Sequence, residues 1–291
     1  MATLHDLLRD PPVLVEGAMG TMLMGRGLPP GRPGELFTIE RPDVVAGIHR
    51  AYRAAGAQVL KTNTFNANEI RLRSDAAFPP DAAETCNRLG VALAREAAGT
   101  GALVAGSIGP LGVVLEPHGE ISPHRAIEVF TRQATALVAA GADLLLVETM
   151  YDLREALTAL NACRAVSHQT PVIVTLTVSR TPRGFFTMMG DAPAESLRRL
   201  RAAGAAVVGL NCTLAGEDMI AAASEIVGAV DAPILVQPNA GQPQIADGAT
   251  VWPESPAAFA AHARRLADLG VSMIGGCCGT TPAHIAAISA R

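Results

Sequence analysis

Short apolar runs, each closing on small or polar residues and each followed by an amphipathic, Ala-rich stretch, recur along the whole chain. The first four are "VLVEG" (13–17), "QVLKTNT" (58–64), "LVAGSIG" (103–109) and "DLLLVET" (143–149). Four more follow: "PVIVTLTV" (171–178), "AVVGLNC" (206–212), "PILVQPN" (233–239) and "VSMIGG" (271–276). A run that is apolar at consecutive positions reads as a strand buried on both faces, as in a parallel sheet covered by helices. The segments between the runs, 124–140 and 151–166 among them, have helical patterning. Several end in a glycine just before the next strand, at Gly56, Gly141 and Gly204, where a left-handed helix cap suits that residue. Eight such units in 291 residues predict an α/β chain folded as a single (β/α)8 TIM barrel, one domain over 1–291. The competing arrangement is an open doubly wound sheet with a G-x-G-x-x-G phosphate turn after its first strand. "EGAMGTMLMG" (16–25) has glycines at a different spacing, which favours the barrel.

Composition narrows the setting. Hydrophobic residues make up 49% and aromatic residues only 3%, so the core must be aliphatic. No apolar run approaches the roughly 18 residues of a spanning helix, and a membrane partner is not expected. The start, "MATLHDLLRDPP", lacks the basic and apolar regions of a secretory signal. Five cysteines, an odd number, in a chain without an export signal read as reduced thiols in the cytoplasm. The net charge of −4 comes from mixed signs without a basic block, which argues against nucleic acid as a partner.

A barrel of this kind carries its chemistry at the C-terminal ends of its strands. Those ends are Glu16-Gly17, Lys61 to Thr64, Ser107, Glu148, Asn211-Cys212, Gln237 to Asn239 and Cys277-Cys278. Three of the five cysteines and two carboxylates therefore share one rim. Cys212 ends the sixth strand and the Cys277-Cys278 pair ends the eighth, so all three reach a point between them. Three soft thiolates suit Zn2+ in tetrahedral geometry, with a fourth position left open in a catalytic site. Spacing alone leaves two other readings: small buried residues, or a vicinal disulfide. Cys86 and Cys163 fall inside helical stretches, as core filler.

"GLNCTLAG" followed by "GGCCGTTPAHI" resembles the homocysteine S-methyltransferase family, and "EGAMGTML", "KTNTFNAN", "GSIGPLG", "VETMYDLREA" and "PNAGQP" fall in family order. "TNTF" and "PNAGQP" are most similar to the homocysteine-binding module of cobalamin-dependent methionine synthase. The resemblance implies a (β/α)8 barrel, Zn2+ held by Cys212, Cys277 and Cys278, and L-homocysteine as the acceptor of a methyl group, giving methionine. It also implies that Glu16 and Glu148 meet the α-ammonium of homocysteine. The family usually has Asp at the first of these positions, one methylene shorter than Glu16. The substrate carboxylate is expected at the backbone N–H groups of the turn 17–21, from Gly17 onward, with Thr62 nearby. Asn239 is a candidate neutral fourth ligand that steps aside for substrate, or else an amide bracing its loop. His118, in the long loop after the third strand, is a lid candidate or a solvated side chain.

Free thiols ionise near pH 8.5 and only the thiolate is a good nucleophile, so a zinc that acidifies the substrate thiol is what alkyl transfer needs. The chain has no D-x-H-x-x-G corrinoid motif and no second barrel. The expected methyl donor is therefore separate: a corrinoid protein or domain in trans, or S-methylmethionine or S-adenosylmethionine. Two alternatives stand beside this reading. One is a family enzyme acting on a different thiol or a selenol; the other is a non-catalytic zinc-thiolate barrel closed by a fourth protein ligand.

Overall fold

The computed structural model describes residues 3–73, 75–246 and 248–290. All eight expected strands form: β1 (Val13–Leu14), β2 (Val59–Lys61), β3 (Leu103–Ile108), β4 (Leu144–Met150), β5 (Val172–Leu176), β6 (Val207–Asn211), β7 (Ile234–Gln237) and β8 (Met273–Ile274). They lie in the order β1-β8-β7-β6-β5-β4-β3-β2, every neighbouring pair parallel. The ring closes between β1 and β2 through a parallel bridge, Val15 to Val59, with Gln58 N–H donating to Leu14 O at 2.8 Å and Glu16 N–H to Val59 O at 2.9 Å. Closure leaves the eight-stranded sheet without a free edge. Long helices alternate with the strands, including Pro123–Ala139 and Leu153–Val166, one to two residues from the expected bounds. Gly56, Gly141 and Gly204 adopt φ of 101°, 94° and 101°, the left-handed cap that only glycine enters without strain.

Strand alternation sorts side chains into an outer set, facing the helices, and an inner set filling the barrel. The inner set includes Val13, Val59, Leu103, Leu146, Ile173 and Leu235, and Leu4 of the short helix Leu4–Leu7 packs into it. Continued toward the C-terminal ends, the same inward rows turn polar. Val59 leads to Lys61, Ala105 to Ser107, Leu146 to Glu148, Ile173 to Thr175, Gly209 to Asn211 and Leu235 to Gln237. All six of these polar residues are buried. An apolar barrel interior is thus capped by one polar layer, and the candidate site stands on it.

Two features above that layer lie outside the expected pattern. Antiparallel hairpins, Ser179–Thr181 with Gly184–Phe186 and Gln244–Ala246 with Ala249–Val251, extend the loops after β5 and β7. In addition, β4 carries a register shift between Val147 and Met150. His118 is exposed in its loop. Among the described residues no helix is long and apolar enough to cross a membrane.

Candidate metal centre

Cys212, Cys277 and Cys278 meet at the mouth of the barrel. β7 lies between the strands that carry them, and its extension holds both segments. Cys212 N–H donates to Gln237 O at 3.0 Å, Cys277 N–H to Pro238 O at 2.8 Å, and Ala240 N–H to Cys278 O at 2.9 Å. Cys212 turns out of β6 with φ of 62°, followed by Thr213 at 56°, a left-handed step that costs a residue with a Cβ about 1–2 kcal/mol. On the other side, Thr280 Oγ1 donates to Cys277 O at 2.7 Å and accepts from Ala18 N–H at 3.0 Å. A Cβ on Gly276 would lie 2.3 Å from that same Thr280 Oγ1, so glycine here allows close packing. Gly279, with φ of 80°, supplies the turn.

The three Sγ atoms lie within 4.8 Å of one another, and Cys212 Sγ is 3.8 Å from Cys278 Sγ. Tetrahedral zinc with Zn–S near 2.3 Å separates its sulfurs by roughly 3.8 Å, whereas a disulfide requires about 2.05 Å. All five cysteines are free in this structure. Without a cation these thiols hold their protons. Contact with Cys277 pulls Cys212 down, but Cys278 and burial push it up to about 12. For Cys278 the contact with Cys212 lowers the value while Cys277 and burial raise it, again to about 12. Three closely packed groups that ionise only with help form a cluster that a divalent cation would stabilise. Asn239 fits the same picture: its side chain is buried and Oδ1 has no hydrogen-bond partner. Cys86 and Cys163 are fully buried in the helices Ala82–Ala98 and Leu153–Val166, away from the cluster.

Glu148 is buried beside the thiols, but it is not waiting for a cation. Ser107 Oγ donates to its Oε1 at 2.6 Å, and Lys61 Nζ stands 3.8 Å from its Oε2. Lys61 also donates to Gln237 Oε1 at 2.9 Å and to Gly276 O at 3.3 Å, linking β2 to β4, β7 and the cysteine loop. Burial opposes its charge, yet Glu148, with Cys277 and Glu16 behind it, outweighs burial and holds the ammonium above the usual lysine range. Glu16 is fully buried, with Oε2 3.1 Å from His49 Nδ1 on the helix Pro42–Ala54, while Oε1 has no partner.

Two expected contacts take a different form. Thr64 Oγ1 donates to Ser107 O at 2.7 Å, so Thr62 Oγ1 must donate to Thr64 Oγ1 at 2.5 Å while accepting from Ser107 N–H at 2.9 Å. The one hydroxyl hydrogen of Thr62 is therefore spent, and Thr62 braces β2 against β3 with no donor left for a carboxylate. In the turn 17–21, Ala18 N–H already goes to Thr280. Gly17 is held close: a Cβ there would lie 2.7 Å from Thr280 Oγ1 and 2.8 Å from Tyr52 OH.

Three residues at the site had no assigned role in the sequence. Lys61 announces itself only as a lysine closing an apolar strand. Asn211, beside Cys212, accepts from Thr175 Oγ1 at 2.7 Å and places Nδ2 3.9 Å from Cys277 Sγ. His49 lies on an ordinary amphipathic helix, where nothing in the pattern marks it.

Comparison with known proteins agrees with this geometry. The family model described as homocysteine S-methyltransferase matches residues 13–291. Methionine synthase of Mycobacterium tuberculosis is 33% identical over 99% of this chain, and that of Mycobacterium leprae is 33% identical over 94%. The chain spans about a quarter of the length of these relatives, 25% and 24%. Among solved structures, the metallated homocysteine methyltransferase MmuM of Escherichia coli superposes with a TM-score of 0.82 at 26% identity, covering 99% of both chains. The carboxyl transferase domain of Rhizobium etli pyruvate carboxylase, at 17% identity and a TM-score of 0.55 over 97% of this chain and 47% of that one, shares the fold alone. The matched family model, the two relatives and the three-cysteine cluster on a closed barrel agree, and the chain belongs to the homocysteine S-methyltransferase family of enzymes.

Proposed function

We propose that this barrel binds zinc through Cys212, Cys277 and Cys278 and uses it to present L-homocysteine for S-methylation to methionine. The observation that carries the reading is the thiol cluster itself, its three sulfurs within 4.8 Å of one another and those of Cys212 and Cys278 at the 3.8 Å of a tetrahedral edge, with the unpartnered Asn239 Oδ1 in the neighbouring segment. Zinc supplies acidity: a thiol that joins it loses its proton at neutral pH yet stays nucleophilic, because the three cysteine ligands keep the centre electron-rich.

The remaining work belongs to the chain's own side chains. Asn239, whose Oδ1 has no partner, would offer the ion a neutral oxygen that substrate can displace. Glu148, held by Ser107, accepts from the substrate α-ammonium, and Glu16 offers its unpartnered Oε1 to the same group. The substrate carboxylate lies along the turn 17–21, where Met19 is the N-cap of the helix Gly20–Met24 and Gly20 and Thr21 are its first residues, and Thr62 serves as a brace. The sulfur then attacks the methyl carbon of a donor arriving from the open side of the mouth, and the donor leaves with the electron pair of its broken bond. That donor is a corrinoid protein or domain in trans, or S-methylmethionine or S-adenosylmethionine.

Cobalt substitution tests the reading. On adding L-homocysteine to the cobalt form, the sulfur-to-metal charge-transfer band should strengthen and calorimetry should report one binding event. A spectrum unchanged at saturating homocysteine means that the thiol is held elsewhere.

A further inference from the structure

Lys61 occupies the one place in the polar layer where a cation changes the meaning of the pocket. Its side chain is only 9% exposed and its ammonium reaches Gln237 Oε1, Gly276 O and, at 3.8 Å, Glu148 Oε2. A carboxylate as buried as Glu148 is costly unless a cation meets it. In this chain that cation is built in, so Glu148 is compensated before any ligand arrives. An α-ammonium approaching Glu148 must settle beside a like charge, which takes back part of what the carboxylate offers. A substrate carboxylate suffers no such penalty, because Lys61 makes the pocket less negative for it.

We propose that Lys61 sets the charge specificity of the acceptor pocket, so that thiols with a carboxylate but no α-ammonium bind nearly as well as homocysteine. This rests on the reading that Glu148 receives the substrate ammonium. Lys61 acts through Glu148 and the field of the pocket, as a positioning and specificity residue. The acceptor class therefore widens from amino-acid thiols to mercaptoalkanoates.

The test compares L-homocysteine with its deaminated analogue, γ-mercaptobutanoate, by calorimetry on the metal-loaded protein, in wild type, Lys61→Met and Lys61→Gln. In the wild type the two thiols should bind within about tenfold of each other, a difference of about 1.4 kcal/mol. In both variants the preference for homocysteine should widen by at least about tenfold, with metal content unchanged. The proposal is overturned if wild type already prefers homocysteine more than about a hundredfold, or if the ratio stays put in variants that keep their metal. Loss of metal from both variants also overturns it, assigning Lys61 to the cysteine loop through Gly276. Failure of the wild type to bind homocysteine at all sinks the acceptor reading, and this inference with it.

Discussion

The side-chain amide of Asn211 holds Thr149 at both ends: Oδ1 accepts the Thr149 N–H at 2.8 Å, and Nδ2 donates to Thr149 Oγ1 at 2.7 Å. Thr149 needs the support. It has φ of 63°, a left-handed conformation strongly disfavoured for a β-branched residue. It also sits in the irregular stretch of β4, between Val147 and Met150, and irregularities of this kind re-aim side chains beside active sites. Glu148 immediately precedes Thr149 in this stretch.

Asn211→Ala should therefore damage stability and site together. A buried N–H left without its acceptor costs about 1–3 kcal/mol, and the strain at Thr149 loses its brace. We expect the melting temperature to fall by about 5 °C or more. Because Nδ2 also lies 3.9 Å from Cys277 Sγ, zinc should be lost to a chelator more readily than from wild type. Calorimetric melting and a chelator titration decide this; an unchanged melting temperature would show that Asn211 is not holding the bulge.

The thiol cluster makes a simpler claim. One zinc per chain should vanish on changing Cys212, Cys277 or Cys278 to Ser, and persist on changing Cys86 or Cys163, which lie fully buried in helices. Metal analysis of the five variants checks it, and zinc retained by Cys212→Ser would dismantle the site as drawn.

How much of this was legible in the chain divides along a physical line. Eight parallel strands announce themselves because each is apolar on both faces, and the thiol rim follows once strand ends are known. The Lys61–Glu148 pair was not legible: it joins β2 to β4 across the polar layer, and which inward side chains touch depends on register and tilt. The pairing of Glu16 with His49 is hidden for the same reason, since His49 approaches from a helix whose polar positions look alike in sequence. Thr62 was legible as a strand-end residue but not as a spent donor, because its hydrogen is claimed by Thr64 only in three dimensions. The two rim hairpins were not legible, because their strands are only three residues long and lack the continuous apolar run of the barrel strands, although Phe185 is buried.

Glu155 offers a pH test remote from the thiols. Its Oε1 accepts Leu111 N–H at 2.7 Å in the loop after β3, and burial pushes its carboxyl up to about 7, with Leu111 N–H opposing and Asp152 adding. The folded-state value lies above the ordinary one, so the stability tied to the proton is complete below about 4.5 and is lost as pH rises through about 7. Glu155→Gln keeps an acceptor for Leu111 and has no charge to bury. It should melt about 5 °C above wild type at pH near 8 and within about 2 °C of it at pH near 4. Melting curves at the two pH values settle the matter; equal differences at both would mean that Glu155 is not the titrating group.

Glu148→Gln separates substrate binding from metal binding. Glu148 carries no expected bond to zinc, and its partners are Ser107 and Lys61. A charge-assisted hydrogen bond to an ammonium contributes roughly 1.5–3 kcal/mol. Lys61 already shares this carboxylate, so the lower end applies, a loss of about tenfold in homocysteine affinity. The substitution removes the counter-ion of Lys61 but leaves Gln237 Oε1 and Gly276 O to hold its ammonium, and zinc content should stay normal. Mercaptopropionate, which has no ammonium, should bind wild type and variant alike, or the variant slightly better, since Lys61 is then free of its partner. Calorimetry with both thiols reads this directly. If Glu148→Gln loses its zinc, or weakens both thiols equally, the carboxylate supports the metal loop through Lys61 and does not receive the substrate.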